Sequence, residues 1–240
     1  MAVENGVWTM HGMDWNDPYR IRSFRELINW INEIGFLPFF KNEIEGFSVE
    51  EHTSNLYWWT GDKEQDPWAW RELIAGSGEV AYGKFFHKKA GFISREWFPY
   101  FANYRRDGYD FDARWEDGLA SMRCKKIMDK FEEQEEWMSH ELKKQAGFLK
   151  GGEKNYSGII TELQMQTYLI TRDFRQKRNK KGAEYGMAVS VYMTPEDLWG
   201  YDLVTSAYKE TPETSRERIY MRVMEQYPNV SEKQIKTLMK

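Results

Sequence analysis

The sequence predicts an α+β fold with a winged helix-turn-helix in the C-terminal half, and three observations carry that prediction. Ile159, Ile160 and Leu163 keep helical spacing. Tyr185, Met187, Val189, Val191 and Met193 alternate strictly with small residues, as one strand of a ribbon does. Between residues 112 and 193 the order is long helix, short helix, helix, hairpin, which is the order of a winged helix. The first ribbon strand carries apolar residues at Tyr168, Ile170 and Phe174. Folding back across Asn179-Lys180-Lys181-Gly182 sets these opposite Met193, Val191 and Met187, unless Gly182 forms a bulge that shifts the pairing.

Taken in order, residues 1 to 17 have no period that either element type can claim and read as irregular. Ser23-Phe24-Arg25-Glu26 has the form of a capping box, and Phe24, Leu27, Ile28, Ile31 and Ile34 supply a helical stripe that ends at Gly35, so a helix is expected over 23–34. From Pro38 to Asp62 turn residues mix with aromatics, giving a loop with one short helix near Ser48. Asp66-Pro67 provides an N-cap and a proline at the first helical position for a helix over 67–75, with Gly76 to stop it. VAYGKFF and AGFIS flank His87-Lys88-Lys89 as a basic hairpin, and Ser94 caps a following helix.

Helix, helix, hairpin, helix is itself compatible with a divergent winged helix, which makes a tandem array one reading of the chain. Asp107-Gly108 marks the boundary between an aromatic-rich domain at 1–108 and the winged-helix domain at 109–200. From Asp112 to Gln134, Trp115, Leu119, Met122, Ile127, Met128 and Phe131 recur at near-helical intervals, and one long helix is expected there. Ser139 caps a short helix, HELKKQA, stopped by Gly147, and Thr194-Pro195 starts another. Beyond Thr211-Pro212 come two more, the last with a capping box at Ser231, so 201–240 reads as a helical tail packed on the body.

Composition narrows the function classes. With 240 residues, 41% hydrophobic and 30% charged, the chain suits one large or two small globular domains. No apolar run approaches the roughly 20 residues of a membrane span, and the N-terminus lacks a signal-peptide pattern, so a cytoplasmic protein without membrane contact is expected. Cys124 is the single cysteine, and His11, His52, His87 and His140 show no ligand spacing, so neither a metal nor a cofactor is expected. Nucleophile elbows, glycine-rich phosphate loops and histidine-carboxylate patterns are absent.

Charge singles out the hairpin. Arg172, Arg175, Lys177, Arg178, Lys180 and Lys181 face a single Asp173, in a chain of net charge −4. With Lys88 and Lys89 they are the candidate nucleic-acid contacts, although cations also keep strand edges from aggregating. On the helix at 157–166, Thr161 and Met165 lie away from the core stripe, and Gln164 and Gln166 flank it, where an amide can meet a base edge or simply water. The aromatic N-terminal half offers Trp58, Trp59, Trp68 and Trp70 as a base-stacking or ligand pocket, against the alternative that they are core. Asp107, Asp110 and Asp112 cluster after Arg105-Arg106 in what also fits a solvated turn.

At Gln164-Met165-Gln166, within LQMQTYL, the chain resembles the tandem winged-helix DNA glycosylases that remove alkylated or crosslinked bases. Those enzymes carry a glutamine, an apolar residue, then glutamine or aspartate, the second polar residue positioning or activating the hydrolytic water. In that family the motif stands near the N-terminus, whereas here it lies two-thirds along the chain. The resemblance implies double-stranded DNA as partner and Gln164 and Gln166 as catalytic residues. The expected function is therefore DNA binding, either as a base-excision enzyme or as a transcription regulator. The alternative is a non-catalytic small-ligand or protein-binding module centred on the aromatic half, which the net negative charge favours.

Overall fold

The computed structural model describes residues 2–4 and 7–240, with side chains from residue 10 onward. The fold is mixed α+β, with two small three-stranded antiparallel sheets. A separate hairpin pairs β1 (Ala2–Glu4) with β2 (Val7–Thr9), in a stretch expected to be irregular. Strands of three residues are too short to display a period.

The first sheet is entered through α1 (Phe24–Ile34). Ser23 Oγ accepts from Glu26 N at 3.2 Å. The Glu26 carboxylate returns not to Ser23 but to Arg22 N, at 2.8 Å. The helix buries Leu27, Ile28, Ile31 and Ile34. Gly35, at φ +98°, ends it where a Cβ would lie 2.7 Å from the Trp97 indole, so no other residue fits. Then follow β3 (Phe36–Pro38), α2 (Pro67–Ser77), β4 (Val80–Phe86), β5 (Lys89–Ser94) and α3 (Phe98–Arg106), with strand order β3-β5-β4. Strand β3 is invisible to periodicity because all three of its residues are buried and nothing alternates. Helix α2 runs to Ser77 and past the expected stop at Gly76, capped instead by Gly78 at φ +71°.

The second half has the same plan. It comprises α4 (Phe111–Glu116), α5 (Met122–Met128), a 3₁₀ turn at Asp129–Glu132, β6 (Glu136–Met138), α6 (Ser139–Gln145), α7 (Tyr156–Met165), β7 (Ile170–Arg178) and β8 (Glu184–Met193), with strand order β6-β8-β7. The single long helix expected over 112–134 is two helices and a turn. Gly118, at φ +71°, stops the first, and Ser121 Oγ accepts from Cys124 N at 3.2 Å to start the second. The apolar spacing continues across the break and disguises it.

The β7–β8 register also differs from the expected one. Ile170 pairs with Met193 and Phe174 with Ser190, because the positive-φ Gly182 at the turn and a shift between Arg175 and Lys177 displace the ladder, which shifts once more between Thr171 and Asp173. At that irregularity Arg172 leaves the sheet, its Nη1 donating to Ala75 O at 2.9 Å and Gly76 O at 2.7 Å, near the C-terminal end of α2.

The tail comprises α8 (Pro195–Trp199), α9 (Tyr201–Val204), α10 (Pro212–Gln226) and α11 (Glu232–Met239). Helix α10 lies on α3. Val204, Ile219, Val223, Ile235 and Leu238 join the core of the first half, while Phe111, Cys124, Ile127, Trp137, Leu142, Ile159, Ile160 and Leu163 build a second core. Among the described residues no helix is long and apolar enough to cross a membrane.

The halves interlock reciprocally. Helix α2, which precedes the first hairpin, packs against β7 of the second. Helix α7, which precedes the second hairpin, packs against β4 of the first. Strands β4 and β7 lie side by side in opposite senses, Tyr82 against Phe174 at a ring separation of 6.0 Å and Lys84 against Thr171 through the Gln164 amide.

Candidate nucleic-acid interface

The β7–β8 hairpin turns on Asn179, whose Oδ1 accepts from Lys181 N at 2.8 Å and Ala183 N at 3.2 Å, with Gly182 at φ +80°. This Asx-anchored turn with a positive-φ glycine is the bulged alternative raised by the sequence. It projects a cluster of cations, of which only some are free. Arg172 is spent on α2. Arg175 is bound by Glu136 at 2.6 Å and Asp173 at 2.7 Å, and Arg178 by Glu184 at 3.2 Å. Lys177, Lys180 and Lys181 make no ion pair among the described residues. Beside them the apolar alternation runs out into solvent. Val191 is fully buried and Met193 nearly so, but Tyr185 is 51% and Met187 88% exposed. Between these two, Gly186 at φ +72° and a register shift opposite Arg175 to Lys177 turn the strand outward.

Lys88 and Lys89 sit at the other hairpin, and the opposite senses of β4 and β7 carry the two turns away from each other. The Lys88 and Lys89 side chains are exposed and make no ion pair among the described residues, while the turn itself is anchored through His87 and the Lys88 backbone. His87 Nδ1 meets Thr237 O of α11 at 2.9 Å, and Lys88 N donates to Met165 Sδ at 3.3 Å. Lys84 Nζ donates to Thr161 Oγ1 at 3.2 Å. Thr161 and Met165 therefore face the first hairpin and not an open groove.

Gln164 is 2% exposed. Its Oε1 accepts from Lys84 N at 3.3 Å and its Nε2 donates to Thr171 Oγ1 at 3.0 Å, so both ends of the amide are engaged inside the protein. Gln166 ends α7, half-buried, and its side-chain amide makes no hydrogen bond among the described residues.

The four tryptophans divide. Trp58 and Trp70 are buried, 5% and 1% exposed, with indole N–H groups donating to Thr53 Oγ1 at 3.0 Å and Glu64 O at 3.2 Å. Trp68 is half-buried and Trp59 is 50% exposed. Asp66, itself 1% exposed, accepts from Trp59 N at 3.0 Å, Gly61 N at 3.0 Å and Trp68 N at 2.8 Å, fixing the loop between them. Asp110 accepts from the Tyr201 hydroxyl at 2.8 Å, and Asp107 caps α3 in the left-handed region at φ +57°.

Two further arginines matter that charge clustering does not single out. The Arg71 guanidinium lies 3.9 Å from the Trp68 ring centroid and 4.3 Å from that of Phe174, bound to Glu72 at 3.0 Å. Burial pushes the adjacent Tyr82 hydroxyl up to about 12, against the opposing pull of Arg71. Arg106, 1% exposed, donates to Thr167 O at 2.7 Å and Glu196 at 2.5 Å and lies 4.5 Å from the Tyr168 ring centroid. The i, i+3 spacing of Trp68 and Arg71 is a usable signal for the first. Nothing local marks the second, whose acid partner is 90 residues away.

Beside Phe174 a groove of about 850 Å³ opens between the loop before α2, α6 and the hairpin, with Lys63, Glu72, His140, Arg175, Arg178 and Glu184 on its walls. Among the described residues no cluster of histidine, cysteine, aspartate or glutamate is arranged to hold a metal ion.

A mixed α+β chain with two sheet-and-hairpin halves, each hairpin turn carrying exposed lysines, defines the class. Within it the chain belongs to the AlkZ-related family, whose sequence model matches residues 21–240. No curated protein and no solved structure matches the chain.

Proposed function

We propose that the protein binds double-stranded DNA in the cytoplasm and works in DNA repair, as a relative of AlkZ, a glycosylase of alkylated and crosslinked DNA. The observation that carries this reading is the family match, which takes in both sheets and the tail. In this reading 1–108 and 109–200 are two winged helices and 201–240 a tail that braces the first.

The interlock supports an unusual division of labour. In a winged helix the helix before the wing ordinarily enters the major groove. Here α2 and α7 are each covered by a strand of the other half, so DNA contact falls to the wings, led by Lys177, Lys180 and Lys181. A basic turn of this kind grips phosphates and carries little sequence preference, which suits an enzyme that searches for damage.

Base release is the finer part of the proposal. With the Gln164 amide occupied, Gln166 is the member of the pair free to hold a water, and Gln164 supports it from the interior. The test is to incubate the purified protein with duplexes containing alkylated purines or an interstrand crosslink and to assay abasic sites alongside gel shifts. Duplex binding that weakens with salt, plus abasic sites lost in Gln166→Ala, is expected. Binding without base release leaves a DNA-binding protein, and no binding at low salt overturns the reading.

A further inference from the structure

Trp59 is held in a conformation that its residue type resists. Its φ is +61°, in the left-handed region that a bulky residue adopts only under strain. Moreover, its indole gains little burial in return, being 50% exposed. The buried Asp66 carboxylate enforces this state by accepting from the Trp59, Gly61 and Trp68 amides together. A strained backbone that keeps an indole in solvent is a feature in search of a ligand.

The indole begins a continuous shelf. Trp59 lies 6.4 Å from Trp68, ring to ring; Arg71 stacks on Trp68, and Phe174 follows Arg71. Phe174 lines the groove of about 850 Å³, and the Lys63 side chain on that groove's wall makes no ion pair among the described residues. Beyond it the hairpin carries the unpaired Lys177, Lys180 and Lys181. The exposed Trp59 indole, with the half-buried Trp68 and Phe174 rings beyond it and a lysine that makes no ion pair among the described residues, matches the π-faces and phosphates of unstacked nucleotides. Paired bases in a duplex would hide the faces that such a shelf needs.

We infer that the shelf from Trp59 to Phe174, with Lys63, is a binding site for unpaired nucleotides of a nucleic-acid strand. The inference rests on the DNA-binding reading and extends it, giving the protein a single-strand site distinct from the duplex grip of the wing. It assigns Trp59 as a stacking residue and Lys63 as a phosphate contact.

The experiment is a fluorescence-anisotropy titration of the full chain with a labelled oligothymidylate and, separately, with a labelled duplex of equal length. Trp59→Ala should weaken oligothymidylate binding about tenfold or more, Trp59→Phe should restore most of it, and Lys63→Ala should flatten its salt dependence. Duplex affinity should stay unchanged in Trp59→Ala and fall in the Lys177, Lys180, Lys181 triple alanine variant. Oligothymidylate affinity equal in Trp59→Ala and wild type overturns the inference. Duplex binding without any oligothymidylate binding also overturns it and leaves the DNA-binding reading standing, whereas binding to neither removes both. A circular-dichroism melt of each variant guards against misfolding, and Trp59, half in solvent, is a mild site to change.

Discussion

Gln164 and Lys84, 80 residues apart, are joined by a hydrogen bond of 3.3 Å from the Lys84 amide to the Gln164 side chain, which also donates to Thr171. The amide thus fills the seam between two strand edges, one from each half. Gln164→Ala should cost about 1–3 kcal/mol, because the Lys84 N–H and the buried Thr171 hydroxyl are both left without their partner. Urea denaturation checks the decrease. A variant of native stability that no longer releases bases would instead assign Gln164 directly to the water.

Arg172 and the turn lysines should separate cleanly. Arg172 holds two carbonyls at the end of α2, so Arg172→Ala should lower stability by about 1–3 kcal/mol and leave the salt dependence of duplex binding alone. Replacing Lys177, Lys180 and Lys181 should leave the melting temperature in place and reduce the salt slope by about 0.9 for each phosphate no longer neutralised. Gel shifts across a salt series measure both.

Arg106 is the most sensitive single position. Removing it strands the Glu196 carboxylate and the Thr167 carbonyl and empties a buried volume, and breaking a buried ion pair costs about 3–5 kcal/mol. Arg106→Ala is expected to be largely unfolded at 37 °C, read by circular dichroism. Arg106→Lys should recover only part of the stability, since one ammonium cannot span both acceptors.

Buried tyrosines set the alkaline limit. Tyr82 is pushed up to about 12, and burial also raises Tyr156, Tyr168, Tyr192 and Tyr208 above the ordinary value near 10. The unfolded chain releases these protons first, so above pH 10 it binds fewer protons than the native state and stability falls as pH rises. Below pH 10 these groups contribute no slope. Each such tyrosine should remove roughly 1.4 kcal/mol per pH unit between its two pKa values, and Tyr82→Phe should flatten the decline measured by denaturation from pH 9 to 12.

What the sequence discloses is local. The caps at Ser23, Asp66, Thr194 and Ser231 all accept the expected backbone N–H, because a cap is decided within four residues. Strands β3 and β6, three residues each, leave no trace, and Gly118 breaks a helix whose spacing hides the break. The hairpin register departs from expectation at the Gly182 turn and between Arg175 and Lys177, opposite the positive-φ Gly186, while the bonds from Arg172 to carbonyls 96 and 97 residues earlier accompany a further shift that no local pattern signals. The candidate interface is legible as charge and not as availability. Lys177 and Arg178 look alike in sequence, and only folding shows that Glu184 holds one of them. Trp59 and Trp58 likewise differ only in what Asp66 and the core do to them.

The reciprocal packing of α2 on β7 and of α7 on β4 has a consequence for how this chain can vary. A fragment ending after α3 would present α2 with its terminal carbonyls bare and β4 as an open edge, an invitation to pair with a neighbour. Each half is the lid of the other, and neither can be traded for an unrelated module without rebuilding two seams at once. Substitutions at the seams should therefore be inherited in matched sets, and new length should enter where no seam runs, at the turn around Lys180 and Lys181.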